Sequence, residues 1–417
     1  MRSCLAIEQA VRTAPMRPLT AIFIVCTIDV LGFGVLVPLV PYMADRYGAG
    51  PWLVTTILAS YSFAQLLMAP VWGRLSDRFG RRPILLSSLA GACLSYVMLG
   101  LAPTLGWLLA ARLFNGAMAG NLSAAMAYAS DVSRPQERAR ALGVVGVAIA
   151  VGFTLGPALG GLLAGDSAAH ANFLRPALVS AALSVLAMLL VAFMLRESLD
   201  AATRIAHREA ESHGTSLSVL RSRPTLAWIV LAGVLVTFSQ ASLESVFALW
   251  ALARFGFGPR TIGYLLFGLA LVTVAMQGGL VRRLAPRLGE WRLALASIAC
   301  YVVGLVWLAF APGLASSLLG LAACGVGSGL FAPSASSLAS RQSDPGNRGV
   351  VMGAYQSGTS LARVLGPLVA GFAFARFGPG APFLAGALVT AQATWCLLAA
   401  GRKASMAAGA AGEGAKA

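Results

Sequence analysis

The sequence predicts an all-α membrane protein, with twelve transmembrane helices in two pseudo-symmetric six-helix bundles around a central cavity. Three observations predict it. Of the 417 residues, 58% are hydrophobic and 11% charged, and the mean hydropathy is +0.78, a balance far from that of soluble domains. Charged residues gather in short stretches that separate long apolar runs, each near the roughly 20 residues that cross a hydrocarbon core of about 30 Å. A shift of 210 positions lays Ser133, Pro135, Arg138, Gly143, Gly156, Pro157 and Gly161 onto Ser343, Pro345, Arg348, Gly353, Gly366, Pro367 and Gly371, so the chain reads as a duplication.

Charged and Pro/Gly punctuation sets the elements in order. A cytoplasmic tail, 1–18, precedes the first span, 19–42. That run is too long for a signal-peptide core and has no small-x-small cleavage site before Asp45, so it is expected to stay attached. Spans two and three, 52–72 and 84–102, flank the loop Gly73-Arg74-Leu75-Ser76-Asp77-Arg78-Phe79-Gly80-Arg81-Arg82-Pro83. Such dense charge is excluded from lipid, so the loop marks a membrane surface. Span four, 106–128, is diluted by Gly and Ser; spans five and six, 140–164 and 175–195, complete a first bundle over 19–195. A polar cytoplasmic linker, 196–224, leads to a second bundle over 225–400. Its spans are 225–249, 261–281, 293–311, 314–338, 350–374 and 380–400, the fourth of these again diluted by Gly and Ser. The Ala- and Gly-rich cytoplasmic tail, 401–417, reads as disordered.

Charge supports this partition. With both termini cytoplasmic, only Arg46, Arg175, Arg254, Arg260 and Arg376 fall on the outer face, and Arg112 and Arg363 fall within spans; every other Lys or Arg lies inside. The formal net charge of +16 therefore follows from the positive-inside rule, and nucleic acid is not expected as a partner. Five cysteines sit within spans and Cys4 in the tail, which disfavours a disulfide framework. His170, His207 and His213 all fall in loops, so neither a metal site nor a cofactor is expected.

Carboxylates within apolar spans are few. Asp29, near the middle of span one, and Glu244, towards the outer end of span seven, must each be protonated, paired or hydrated, which makes them candidate proton sites. Gln240 lies one turn before Glu244 on the same face. Two buried cations complement them: Arg112 shares a helix face with Asn115, and Arg363 with Gln356. We expect Asp29 to communicate with Arg112 and Glu244 with Arg363. Tyr61, Gln65, Asn121, Phe238 and Gln277 join Asn115, Gln240 and Gln356 as candidate lining of a cavity whose apolar walls and few amides suit an amphiphilic organic compound. Ala148, Gly152, Gly156, Gly160 and Ala164 recur every fourth residue, as do Gly358, Ala362, Gly366 and Ala370. Each stripe permits close helix approach, and Pro157 and Pro367 add a kink or weak point at equivalent depth.

The Gly73 to Pro83 loop resembles the signature between spans two and three of the major facilitator superfamily. Gly152-Phe153-Thr154-Leu155-Gly156-Pro157-Ala158-Leu159-Gly160-Gly161 is similar to the span-five signature of its proton antiporters, and Arg112-Leu113-Phe114-Asn115-Gly116 to their span-four signature. With Asp29, Gly32, Pro38 and Pro41 in span one, the resemblance covers the whole chain and points to the twelve-span drug/proton antiporter branch. It implies a secondary active exporter in the inner membrane that exchanges protons for a small organic molecule by alternating access, as a monomer in the lipid bilayer. It further implies that Gly73, Asp77, Arg78, Gly80 and Arg81, with Gly152, Gly156, Pro157, Gly366 and Pro367, act in gating. In the second half Pro286 stands where the loop's acid should be.

The tetracycline exporters of that branch carry a third-span acid where this chain has Ser95, and Ser297 to Tyr301 in span nine also lacks one, so the pattern for metal-chelated tetracycline is incomplete. A proton-linked importer or a dedicated metabolite exporter are the nearest alternatives. A membrane-embedded enzyme is more remote: there is no Gly-x-x-x-x-Gly-Lys-Ser/Thr loop, no paired-Asp metal motif and no nucleophile with a nearby histidine.

Overall fold

The structure, a computed structural model, describes residues 16–198, 223–343 and 348–414. The expected N-terminal tail with Cys4, and most of the linker with His207 and His213, lie outside the described residues.

The described chain is helical throughout. The first half comprises α1 (Met16–Leu36), a 3-10 turn (Val37–Leu39), α2 (Val40–Asp45), α3 (Pro51–Phe79), α4 (Arg81–Gly100), α5 (Leu105–Ala117), α6 (Asn121–Asp131), α7 (Arg138–Ala164) and α8 (Leu174–Met194). The second comprises α9 (Pro224–Phe255), α10 (Pro259–Ala275), a π-helical turn (Met276–Leu280), α11 (Val281–Leu288), α12 (Glu290–Phe310), α13 (Leu314–Arg341), α14 (Arg348–Phe377) and α15 (Ala381–Gly414).

Among the described residues, 11 helical stretches are long and apolar enough to cross a membrane. The fourth expected span accounts for the difference from twelve. In place of one helix over 106–128 the chain forms α5 and α6, of 13 and 11 residues, parted at Met118 to Gly120. The tenth expected span is one unbroken helix, α13, despite its Gly and Ser. The C-terminal tail departs from expectation, because α15 continues to Gly414. Its alanines are strong helix formers, and a span that is already helical removes the cost of nucleation.

The chain divides into two compact units. Unit one comprises Met1–Tyr47, Phe63–Ser212 and Pro259–Gly263; unit two comprises Gly48–Ser62, His213–Gly258 and Tyr264–Ala417. Each therefore includes the beginning of one helix from elsewhere in the sequence.

Helices in lipid gain little from hydrophobic burial and associate through close packing and hydrogen bonds. In unit one the small stripe of α7 meets α1: a Cβ on Gly156 would lie 2.6 Å from Gly34 Cα, and one on Gly152 would lie 3.0 Å from Thr27 O. Ser180 Oγ on α8 donates to Gly32 O at 2.8 Å. Ile22, Val25, Leu85, Leu89, Tyr128 and Val145 fill the core beside these contacts. The Pro259–Gly263 segment packs here too, since a Cβ on Gly161 would lie 2.6 Å from Pro259 O. Arg260 pairs with Asp166 at 2.8 Å, and its backbone N–H donates to Gly165 O at 3.2 Å.

Unit two repeats the scheme. A Cβ on Gly366 of α14 would lie 2.6 Å from Phe238 O on α9. Ser242 Oγ donates to Gly366 O at 3.0 Å, and Ser239 Oγ to Gly386 O on α15 at 2.9 Å. Ile229, Val236, Ile298, Phe331, Leu338 and Val351 form its core, and Gly371 faces Thr55 of the Gly48–Ser62 segment.

These contacts predict opposite outcomes for glycines on one helix. Gly156→Leu is expected to destabilise the protein by about 1–3 kcal/mol through overpacking, whereas Gly143→Ala, whose Cβ meets nothing within 4 Å, is expected to be neutral or slightly stabilising. Thermal unfolding of both variants in detergent checks this; a Gly156→Leu protein as stable as the parent would refute the packing account.

Candidate functional site

The break between α5 and α6 builds the first candidate site. Interrupting a helix within a membrane leaves backbone donors and acceptors that need partners inside the protein. Ser88 of α4 partners three of them. Its Oγ accepts from the N–H groups of Gly120 at 3.1 Å and Asn121 at 2.9 Å, and donates to Met118 O. Trp72 of α3, the residue before Gly73, donates from Nε1 to Ala117 O at 2.6 Å. Its indole fills the space a side chain at Gly120 would need.

The break makes Asn121 the first residue of α6. Its side-chain amide donates to Asp29 Oδ2 on α1. Asp29 is only 8% exposed and borders a small cavity walled by Val25, Leu85, Leu89 and Ala125. A carboxylate in such surroundings is held by one amide and by the positive end of the α6 dipole. The structure thus joins Asp29 to Asn121, both expected from sequence, in a partnership that the sequence did not indicate.

Arg112 and Asn115, on one face of α5, are both buried. Asn115 Nδ2 donates to Ser95 Oγ, which in turn donates to Ala92 O at 2.7 Å. The position where the resemblance calls for an acid is therefore a hydroxyl engaged with its own helix and with Asn115. Arg112 places its guanidinium 6.0 Å from the centre of the Phe33 ring, which meets Phe153 edge-on at 5.9 Å.

The expected gating loop forms a charged network at one end of unit one. Arg81 NH1 donates to Asp77 Oδ1 at 2.6 Å and to Ser76 Oγ at 3.0 Å, and Arg81 Nε donates to Asp131 Oδ2 at 3.0 Å. Glu197 caps the start of α4, accepting from the backbone N–H groups of Arg81 at 2.9 Å and Arg82 at 3.1 Å. A carboxylate suits a helix N-terminus. Gly80 precedes it with φ +102°, a conformation that favours glycine, and a Cβ there would collide with the Glu197 carboxylate. Arg78 is exposed and lies 5.3 Å from the Phe79 ring, while the space around Gly73 is open.

In unit two, Gln240 Nε2 donates to Glu244 Oε1 at 3.3 Å. Arg363 of α14 interacts electrostatically with both Glu244 and Tyr355. Unlike Asp29, Glu244 is exposed. Of the other expected lining residues, Tyr61 and Gln65 lie one turn apart on α3, Phe238 on α9, Gln277 in the π turn and Gln356 on α14; Gln277 and Gln356 are exposed. A π turn inside a helix is a frequent mark of a functional position.

With the loop register that lays Pro286 over Asp77, a shift of 209, Gly289 and Glu290 fall over Gly80 and Arg81, while the shift of 210 lays Arg341 over Asp131. Gly289 again starts a helix with positive φ, +77°. The pair it introduces is reversed in sign: Glu290 binds Arg341 Nε at 3.2 Å and accepts from Ser337 Oγ at 2.6 Å. Sequence reading passed over Ser88, Asp131, Glu197 and Glu290. Glu197 had a visible signal, an acid directly after span six and Arg196; Ser88 had none, because a serine facing a helix break looks like any other in a span.

Among the described residues no group of three or more His, Cys, Asp or Glu side chains could hold a metal ion. The sequence profile of the Major Facilitator Superfamily matches residues 22–367 and 295–416. The class C tetracycline resistance protein of Escherichia coli is 31% identical, over 82% of this chain and 86% of its own. The class H protein of Pasteurella multocida is 28% identical, over 89% and 93%. The crystal structure of the human organic anion transporter MFSD10 superposes with a TM-score of 0.68 at 26% identity, covering 92% of this chain and 99% of that one.

Ser88→Ala is expected to leave the Asn121 N–H without its acceptor, while the Gly120 N–H keeps Met118 O at 2.8 Å, and to cost about 1–3 kcal/mol. Thermal unfolding measures the loss. Ser184→Ala, which removes a buried hydroxyl that has no partner among the described residues, is the control and should cost little.

Proposed function

This chain belongs to the Major Facilitator Superfamily, a transporter and not an enzyme, and from that premise we propose that it exports a small amphiphilic organic compound in exchange for protons. The observation that carries the reading is Asp29: a carboxylate buried in the membrane-crossing part of α1, held by the Asn121 amide at a helix break. The proton affinity of such a group depends on its surroundings, and a change of surroundings is what alternating access provides. Drug efflux is favoured by the names of the relatives, tetracycline resistance proteins among them. Engagement of Ser95 by Asn115 argues for a cargo other than metal-chelated tetracycline.

In this reading Asp29 is the principal coupling site, with Arg112 also acting in unit one, and Glu244 with Arg363 forms a second site. Asn115, Asn121, Tyr61, Gln65, Phe238, Gln240, Gln277 and Gln356 line the substrate path. Gly73, Asp77, Arg78, Gly80 and Arg81 form the gate, with Gly152, Gly156, Pro157, Gly366 and Pro367 as sliding surfaces. The protein works as a monomer in the inner membrane with both termini in the cytoplasm. Arg112 and Arg363 also favour a second cargo class, organic anions, which the structural relative MFSD10 carries.

Two measurements test this. In inverted vesicles, Asp29→Asn is expected to reduce pH-gradient-driven transport at least 10-fold while substrate exchange without a gradient continues, a loss of at least about 1.4 kcal/mol in coupling. Preservation of driven transport by both Asp29→Asn and Glu244→Gln would overturn proton coupling at these residues. A susceptibility panel of antibiotics, dyes and organic anions in an efflux-deficient host identifies the cargo, and Asp77→Asn at matched expression is expected to abolish the protection.

A further inference from the structure

Unit one and unit two end differently where their charged pairs lie. In unit one the start of α4 is covered by the chain itself, through Glu197, and Asp77 and Asp131 neutralise Arg81. In unit two a cavity of about 530 Å³ opens beside the start of α12. Pro286, Trp291 and Leu338 give it apolar walls, and Glu290 and Arg341 stand at its edge.

Its surroundings are strongly cationic. Arg282, Arg283 and Arg287 on α11 and Arg292 on α12 are exposed. Gly401 of α15 faces the Trp291 ring, its Cβ position 3.9 Å away, which brings the exposed Arg402 and Lys403 to the same edge. Glu290, the acid beside the cavity, is committed to Arg341 and Ser337. Arg341 binds it through Nε while its side chain stays 74% exposed, so the outer edge of the guanidinium faces outward.

We propose that this cavity binds an anionic phospholipid, its phosphodiester headgroup at Arg341 and the α11 arginines and the upper part of an acyl chain along Pro286, Trp291 and Leu338. Basic pockets at membrane surfaces select anionic headgroups, and tryptophan prefers the same interfacial depth. Topology alone accounts for arginines on this side, but it gives no reason for an apolar cavity between them. Free inorganic phosphate offers the same charge and no use for that wall.

The test is native mass spectrometry of the purified full chain in detergent, titrated with phosphatidylglycerol, phosphatidylethanolamine or inorganic phosphate. One phosphatidylglycerol is expected to be retained, with phosphatidylethanolamine bound about 10-fold more weakly or less and phosphate unable to displace it. Arg283→Gln/Arg287→Gln, which leaves the Glu290–Arg341 pair intact, should weaken binding about 10-fold, and Trp291→Ala should weaken it several-fold. Arg74→Gln/Arg140→Gln removes the same charge from unit one and should leave it unchanged. Equal binding by Arg283→Gln/Arg287→Gln, equal loss in the unit-one variant, or displacement by equimolar phosphate would each overturn the proposal.

Discussion

A backbone N–H or C=O left bare in a hydrocarbon core costs several kcal/mol, and the break between α5 and α6 interrupts a helical ladder in the face of that cost. Ser88 and Trp72 make the interruption tolerable. Because they do, Asn121 becomes the start of a helix and meets Asp29, and the residue immediately before the Gly73 to Pro83 loop is tied to the same break through Ala117. The charged network around Arg81 and the carboxylate in α1 are thus connected by a short run of contacts: Asp29 to Asn121, across the break to Ala117, and along α3 from Trp72 to Asp77.

The duplication supplies two similar scaffolds and then spends them differently. Both use a small stripe against a first helix, and both join that first helix to their last by a serine hydroxyl on a glycine carbonyl. At the charged ends Arg81–Asp131 becomes Glu290–Arg341, so geometry is retained while polarity is inverted. The carboxylates differ in the same spirit, one buried and one exposed. An ion pair keeps most of its value when its partners exchange places, whereas the charge that each partner presents to its own surroundings changes.

Much of this was legible in the sequence because membrane helices announce themselves by length and apolarity, and glycine stripes by their spacing. Asp29, Asn121, Glu244 and Arg363 were found because polar atoms in a span are conspicuous. The partnership of Asp29 with Asn121 was not, since it depends on a break that spacing conceals: Ala117 to Gly120 is as helix-compatible as its neighbours until Ser88 is placed beside it. The helical tail beyond Arg402 was misread for the opposite reason. Its composition looks like that of a loose segment, yet an alanine-rich run that continues an existing helix has no nucleus to form.

Each compact unit holds a short segment whose sequence neighbours belong to the other. Unit one is missing Pro259–Gly263 while the ribosome is still completing the intervening linker and α9, and unit two waits for its own later helices to receive Gly48–Ser62, made near the start. At the usual pace of about 5–20 residues per second, the earlier unit spends seconds inserted and unfinished. A chain truncated after the linker therefore leaves unit one without the segment that meets Gly161 and Asp166.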